Sequence, residues 1–184
     1  MSIADISDRI YTAEELLYFP SDCHYELVRG RLREMSPTGG EHGYSTSKTG
    51  SRIDVYVEEN DLGVCFAAET GFLVAQNPDM VLAPDFAFIA KNRLTQPITD
   101  KFVPINPDLV IETRSPSDSA RRITTKVQEW LDAGVRMVLE INPKKKLLTV
   151  YRPGKKPQML SSGDTFLGDD ILPGFELAVS KLFL

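Results

Sequence analysis

The chain has 184 residues, of which 42% are hydrophobic and 26% charged, and its formal net charge is −5. This length suits one domain with enough apolar surface for a single sizeable core. The acid excess argues against a protein that coats nucleic acid through a basic surface, but not against an enzyme that confines positive charge to one face.

Apolar runs such as Leu109-Val110-Ile111 fall far short of a membrane span, and Met1 to Arg9 is polar with no apolar signal core, so a cytoplasmic location is expected. Cys23 and Cys65 do not make a disulfide framework. With His24 and His42 as the only histidines and no CxxC, a Cys/His zinc site is not expected either.

Thr12-Ala13-Glu14-Glu15 reads as a capping box that starts a short helix through Phe19, and Pro20 stops it. Tyr25 to Val28 and Arg31 to Met35 read as a hairpin around Arg29-Gly30, where Gly30 supplies the positive φ of a tight turn. A helix is expected from about His42 to Glu59, with Thr46, Thr49, Gly50, Ile53 and Val57 on one face. Strands are expected at Val64 to Ala68 and Gly71 to Ala75. Two more are expected at Asp85 to Ile89 and Asp108 to Glu112, each opened by a Pro that costs no hydrogen bond inside the ladder.

Ser115, Ser117 and Asp118 signal a helix start, and the helix should span about Ser119 to Ala133 and end at Gly134. Ile123, Val127, Trp130 and Leu131 form its buried stripe. Val135 to Ile141 and Leu147 to Tyr151 read as a hairpin, and the apolar tail from Ile171 to Leu184 should dock. Strands interleaved with helices predict an α/β or α+β fold, a mixed sheet covered on both faces.

The chemistry resides in two of these strands. If they pair antiparallel, Asp85 at the start of one lies beside Glu112 at the end of the other. Two unneutralised carboxylates side by side raise each other's pKa, and a divalent cation relieves the repulsion. Oxygen-only ligands select a hard ion, so Mg²⁺ or Mn²⁺ is expected. Lys126 flanks the buried stripe of the following helix, turned about 60° from Ile123, and its long stem can reach back to the carboxylates.

Pro84-Asp85 followed by Glu112-Thr113-Arg114 resembles the PD-(D/E)XK nuclease signature. The wider series is Tyr25 to Gly30, Glu41-His42-Gly43, Glu69 to Phe72, Ala83 to Asp85, Glu112 to Asp118, Ala133 to Val135 and Leu172 to Phe175. In that order it resembles a large bacterial family of restriction endonucleases, formerly a domain of unknown function, over about Tyr11 to Phe183. The resemblance implies a restriction-endonuclease-like mixed sheet, with Asp85 and Glu112 as metal ligands and Glu26 and Glu69 near the site, Glu69 as a further ligand. The signature's Lys is replaced by Arg114, which can stabilise a phosphate but cannot act as a base. Relatives draw the amine from the next helix, where Lys126 stands.

The expected activity is Mg²⁺-dependent hydrolysis of nucleic acid, DNA before RNA, and cutting both strands would suit a homodimer. The competing function is a non-catalytic interaction or regulatory domain on the same fold. A two-carboxylate glycosidase ranks low, because the lone Trp130 reads as core rather than as a sugar platform.

Plainer readings compete residue by residue. Asp85 could merely open a strand, Glu112 could be a strand-end salt bridge, and Lys126 an exposed helical lysine. Glu26 could be a cross-strand partner of Arg33, Glu69 a solvated strand residue, and His42 a helix-start residue. Ser115 and Ser117 read as caps. Ser47-Lys48-Thr49 lacks the glycines of a phosphate loop. The basic clusters Arg29/Arg31/Arg33, Arg121/Arg122, Lys144 to Lys146 and Lys155/Lys156 read first as solvated turns or helix faces.

Overall fold

Residues 9–20, 24–116 and 118–184 are described by the computed structural model. The expectations at Met1 to Asp8, Cys23 and Ser117 lie outside them.

Helix α1 (Ala13–Leu17) carries the expected capping box, with Thr12 and Glu15 bonded reciprocally. Strands β1 (Tyr25–Val28) and β2 (Arg31–Glu34) form the expected hairpin, pairing Glu26 with Arg33. Both turn residues have positive φ, Arg29 at 52° and Gly30 at 76°, the pattern of a primed turn that follows strand twist. Helix α2 (Gly40–Glu59) starts two residues before the predicted His42. It buries Ser45, Thr49, Gly50, Ile53 and Val57.

Next come β3 (Gly63–Ala67), β4 (Phe72–Ala75), β5 (Met80–Leu82), β6 (Phe86–Ala90) and β7 (Leu109–Thr113). Helix α3 (Ala120–Asp132) is capped by Ser119 and stops before Gly134, whose φ is 91°. Of its predicted stripe, Ile123, Val127 and Trp130 are buried, while Leu131 is half-buried against the same core. Strands β8 (Met137–Asn142), β9 (Leu147–Tyr151), β10 (Gln158–Leu160), β11 (Thr165–Leu167) and β12 (Glu176–Ala178) complete the chain.

The main sheet has six strands in the order β10-β9-β8-β7-β6-β3. Among these strands only β7 and β8 run parallel, and α3 makes the crossover between them. A second sheet, β2-β1-β5-β4, and a β11-β12 pair accompany it.

Alternation along β7 divides the core. Leu109 and Ile111 pack with Ile53 and Val57 of α2 and with tail residues such as Leu172, Phe175 and Leu182. Val110 packs on the other face with Ile123, Val127 and Trp130 of α3. The mixed sheet covered on both faces is therefore as the sequence predicts, and so is the docked tail. Among the described residues no helix is long and apolar enough to cross a membrane.

Candidate active site

The register Phe86↔Ile111 continues to bring Asp85 alongside Glu112 at one end of β6 and β7. Asp85 stands just outside its strand rather than opening it. Its N–H donates to the Ile111 carbonyl at 3.1 Å, and its Oδ2 accepts the Thr113 N–H at 2.7 Å. The carboxylate thus continues the ladder where a main-chain carbonyl would end it. His42, on the first turn of α2, places Nε2 at 3.1 Å from the same Oδ2.

Glu112 lies on the α3 side of the sheet and is 2% exposed. Lys126 Nζ donates to its Oε2 at 3.0 Å, and Trp130 Nε1 donates to its Oε1 at 2.7 Å. Lys126 and Trp130 are four residues apart on α3 and therefore present neighbouring groups to one acid. Trp130 is core, as its stripe predicts, but its indole N–H also binds the buried carboxylate; periodicity reveals only the first role.

Burial raises Glu112 to about 7 despite the opposing charge of Lys126, and the negative charges of Asp85 and Glu26 push the same way. For Lys126, burial disfavours the ammonium, but Glu112, Glu26 and Asp85 outweigh it and lift its pKa above the ordinary lysine value. Lys126 is therefore a fixed cation near neutral pH. His42 balances the same effects: burial disfavours its charge, and Asp85, Glu112 and Asp118 raise its pKa.

Glu26 is also 2% exposed. Its Oε1 accepts the Ala83 N–H at 3.1 Å, and Arg33 Nε donates to Oε2 at 2.8 Å. The cross-strand pairing with Arg33 is thus present. Arg33 also reaches Glu129 of α3 at 2.8 Å, tying the hairpin to the helix that carries Lys126. Four carboxylates here (Asp85, Glu112, Glu26 and Glu129) face two fixed cations, Lys126 and Arg33. With every carboxyl ionised the formal excess is two negative charges when His42 is neutral and one when it is protonated, and the raised pKa values of Glu112 and His42 both lower it.

Two other predicted residues have partners of their own. Arg114 is ion-paired to Glu140 of β8, whose other oxygen accepts the Tyr151 hydroxyl at 2.6 Å. Glu69 sits at the β3–β4 turn with φ 69°, and its exposed carboxylate lies 3.8 Å from His24 Nδ1. Glu69, His42 and Asp85 line one cavity of about 730 Å³. Ser119, rather than Ser115, caps α3. Ser47, Lys48 and Thr49 lie within α2, consistent with the absence of a phosphate loop.

Oxygen donors, with more carboxylates than fixed cations, suit a hard divalent cation. Both oxygens of Glu112 already accept an N–H, but each carboxylate oxygen has two acceptor sites. Among the described residues no group of three or more His, Cys, Asp or Glu side chains is placed to hold one ion. Mg²⁺ commonly takes one or two carboxylates and keeps several waters, so an acid pair such as Asp85 and Glu112 would supply enough side-chain donors for it.

A mixed sheet flanked by helices is the restriction-endonuclease-like fold, and at one end of its antiparallel β6 and β7 an acid pair meets a helical lysine. The chain belongs to the family described as "Uma2: Putative restriction endonuclease", whose model matches residues 12–180. The fold is shared with a structure described as a putative nuclease belonging to DUF820 from Anabaena variabilis ATCC 29413, at 22% identity and a TM-score of 0.78. That match covers 93% of this chain and 96% of the other. A DrdV–DNA complex aligns at 14% identity over 65% of this chain and 87% of the other, with a TM-score of 0.32. No curated protein matches the chain.

Proposed function

We propose that this protein is a divalent-metal-dependent endonuclease that hydrolyses phosphodiester bonds, with DNA as the preferred nucleic acid. The observation that carries the reading is Glu112: a buried acid held between Lys126 and Trp130, beside Asp85, in a cluster where four carboxylates meet two fixed cations.

Asp85 and Glu112 would hold Mg²⁺ or Mn²⁺. When bound, such an ion neutralises the scissile phosphate and makes a nearby water more acidic. Lys126, held protonated by its acidic neighbours, stabilises negative charge developing on the phosphate and does not serve as the base. His42 and the Thr113 N–H aim the Asp85 carboxylate. Glu26, with Arg33, holds negative charge next to Lys126 and keeps its ammonium charged. Glu69, which lines the same cavity as Asp85, would be a ligand of a second ion. Cleavage of both strands of a duplex would be served by a homodimer, one site per strand.

The second reading, a non-catalytic domain, draws on the fact that both Glu112 oxygens already have donors. One experiment separates the two. Duplex DNA, single-stranded DNA and RNA are incubated with Mg²⁺ or Mn²⁺ and wild type, Asp85→Ala or Glu112→Ala. Metal-dependent cleavage lost in both variants, with native circular dichroism retained, supports the nuclease. Equal cleavage by wild type and variants, or none by any, removes it.

A further inference from the structure

A second cavity, of about 630 Å³, adjoins the acid cluster, and His42 lines both. Its charge balance differs. The 730 Å³ cavity carries the carboxylates of Asp54, Glu69 and Asp85, whereas the second is bordered by Arg114, Lys144 and Lys145. These cations come from separate places, the end of β7 and the β8–β9 turn.

The acids on this second wall are differently disposed. Asp118 Oδ2 accepts the Ser115 N–H at 2.8 Å, and its Oδ1 lies 3.5 Å from Arg122. Glu41 is exposed on the first turn of α2. Glu140 takes the Nε of Arg114, which orients the guanidinium and leaves its remaining N–H groups for another acceptor. Lys146, next in the turn, is turned away and donates to the Leu184 carbonyl at 2.6 Å. Lys144 and Lys145 are exposed at the cavity rim.

We propose that this cavity is a backbone-phosphate subsite: Lys144, Lys145 and Arg114 hold the phosphates of a nucleic-acid strand that flank the one at Asp85 and Glu112. The inference rests on the nuclease reading and adds the path of the strand. An acidic cavity repels a polyanion except where a metal sits, so the chain of phosphates must leave the metal site over a cationic wall. On the wall that His42 shares, Arg114, Lys144 and Lys145 stand against Glu41 and Asp118, and the two lysines are the exposed cations. Contacts of this kind are sequence-independent and set register rather than specificity.

The test uses the full chain and a fluorescein-labelled oligonucleotide duplex in Ca²⁺ buffer, with anisotropy read from 50 to 300 mM salt. Wild type is compared with Lys144→Gln/Lys145→Gln and with Lys155→Gln/Lys156→Gln, which removes the same charge from a turn outside the cavity. The Lys144/Lys145 pair is expected to weaken binding about tenfold or more and to lower the slope of log K against log salt by about 2. The control pair is expected to shift binding by less than about threefold. Equal effects of the two pairs, or no effect of either, with wild type binding and cleaving normally, overturn the subsite and leave the nuclease standing. A wild type that neither binds nor cleaves overturns both.

Discussion

Replacing Glu112 by Gln should flatten the pH dependence of stability, and the size of the effect follows from the acid's surroundings. In the fold, burial keeps the proton on Glu112 up to about pH 7, whereas in the unfolded chain it leaves near the ordinary value of 4.5. Between those limits the folded state binds more protons. The stability that Glu112 contributes is therefore complete below about pH 4.5 and is lost as pH rises through 7. One pH unit corresponds to about 1.4 kcal/mol, so the loss is roughly 3 kcal/mol across the window. The amide of the Glu112→Gln variant cannot titrate. The variant also loses the carboxylate to which Lys126 Nζ donates, so the comparison is made on the pH slope and not on absolute stability.

The assay is urea denaturation in EDTA from pH 4.5 to 8, followed through the fluorescence of Trp130, the single and fully buried tryptophan. Wild type minus variant should fall by roughly 3 kcal/mol over that range. Parallel curves would falsify the picture of Glu112 as a buried acid that retains its proton. Saturating Mg²⁺ at pH 8 should then stabilise wild type, by about 3 kcal/mol at a hundred times Kd, and leave the Gln variant nearly unmoved.

Two substitutions probe the surroundings. Arg114→Ala strands Glu140, which is 3% exposed, and should cost about 3 kcal/mol, read as a fall in Tm of roughly 6–12 °C. In cleavage it should raise KM more than it lowers kcat; a selective loss of kcat at unchanged Tm would instead give Arg114 a role at the reacting phosphate. Gly50→Ala sets a helix-propensity gain of about 1 kcal/mol against a Cβ placed 2.8 Å from Phe86 Cδ2. Overpacking of this kind costs about 1–3 kcal/mol, so net destabilisation is expected. Because α2 also carries His42, cleavage should fall with Tm, and a more stable variant would show that the α2–β6 contact is slack.

The amino-acid order alone determined the local elements whose signals lie within a few residues. Thr12 and Glu15 cap α1, Ser119 caps α3, Arg29-Gly30 turns the first hairpin, and Ile123, Val127 and Trp130 declare a buried helix face. Two short apolar strands bounded by Asp85 and Glu112 were enough to anticipate that these acids share one end of the sheet, since antiparallel pairing leaves few registers that keep both runs buried. The three-residue strands β5, β10, β11 and β12 were not legible, because three residues show no period.

The charge partners were decided only by the tertiary structure. Arg33 meets Glu129 across 96 residues of chain, and His42 comes to Asp85 through the packing of α2 on the sheet. Arg114 goes to Glu140 because β8 lies beside β7 in the register Glu112↔Glu140. No spacing in the sequence encodes these choices. Burial removes the water that would otherwise screen every charge equally, so each acid's behaviour depends on which cation the surrounding elements bring within reach.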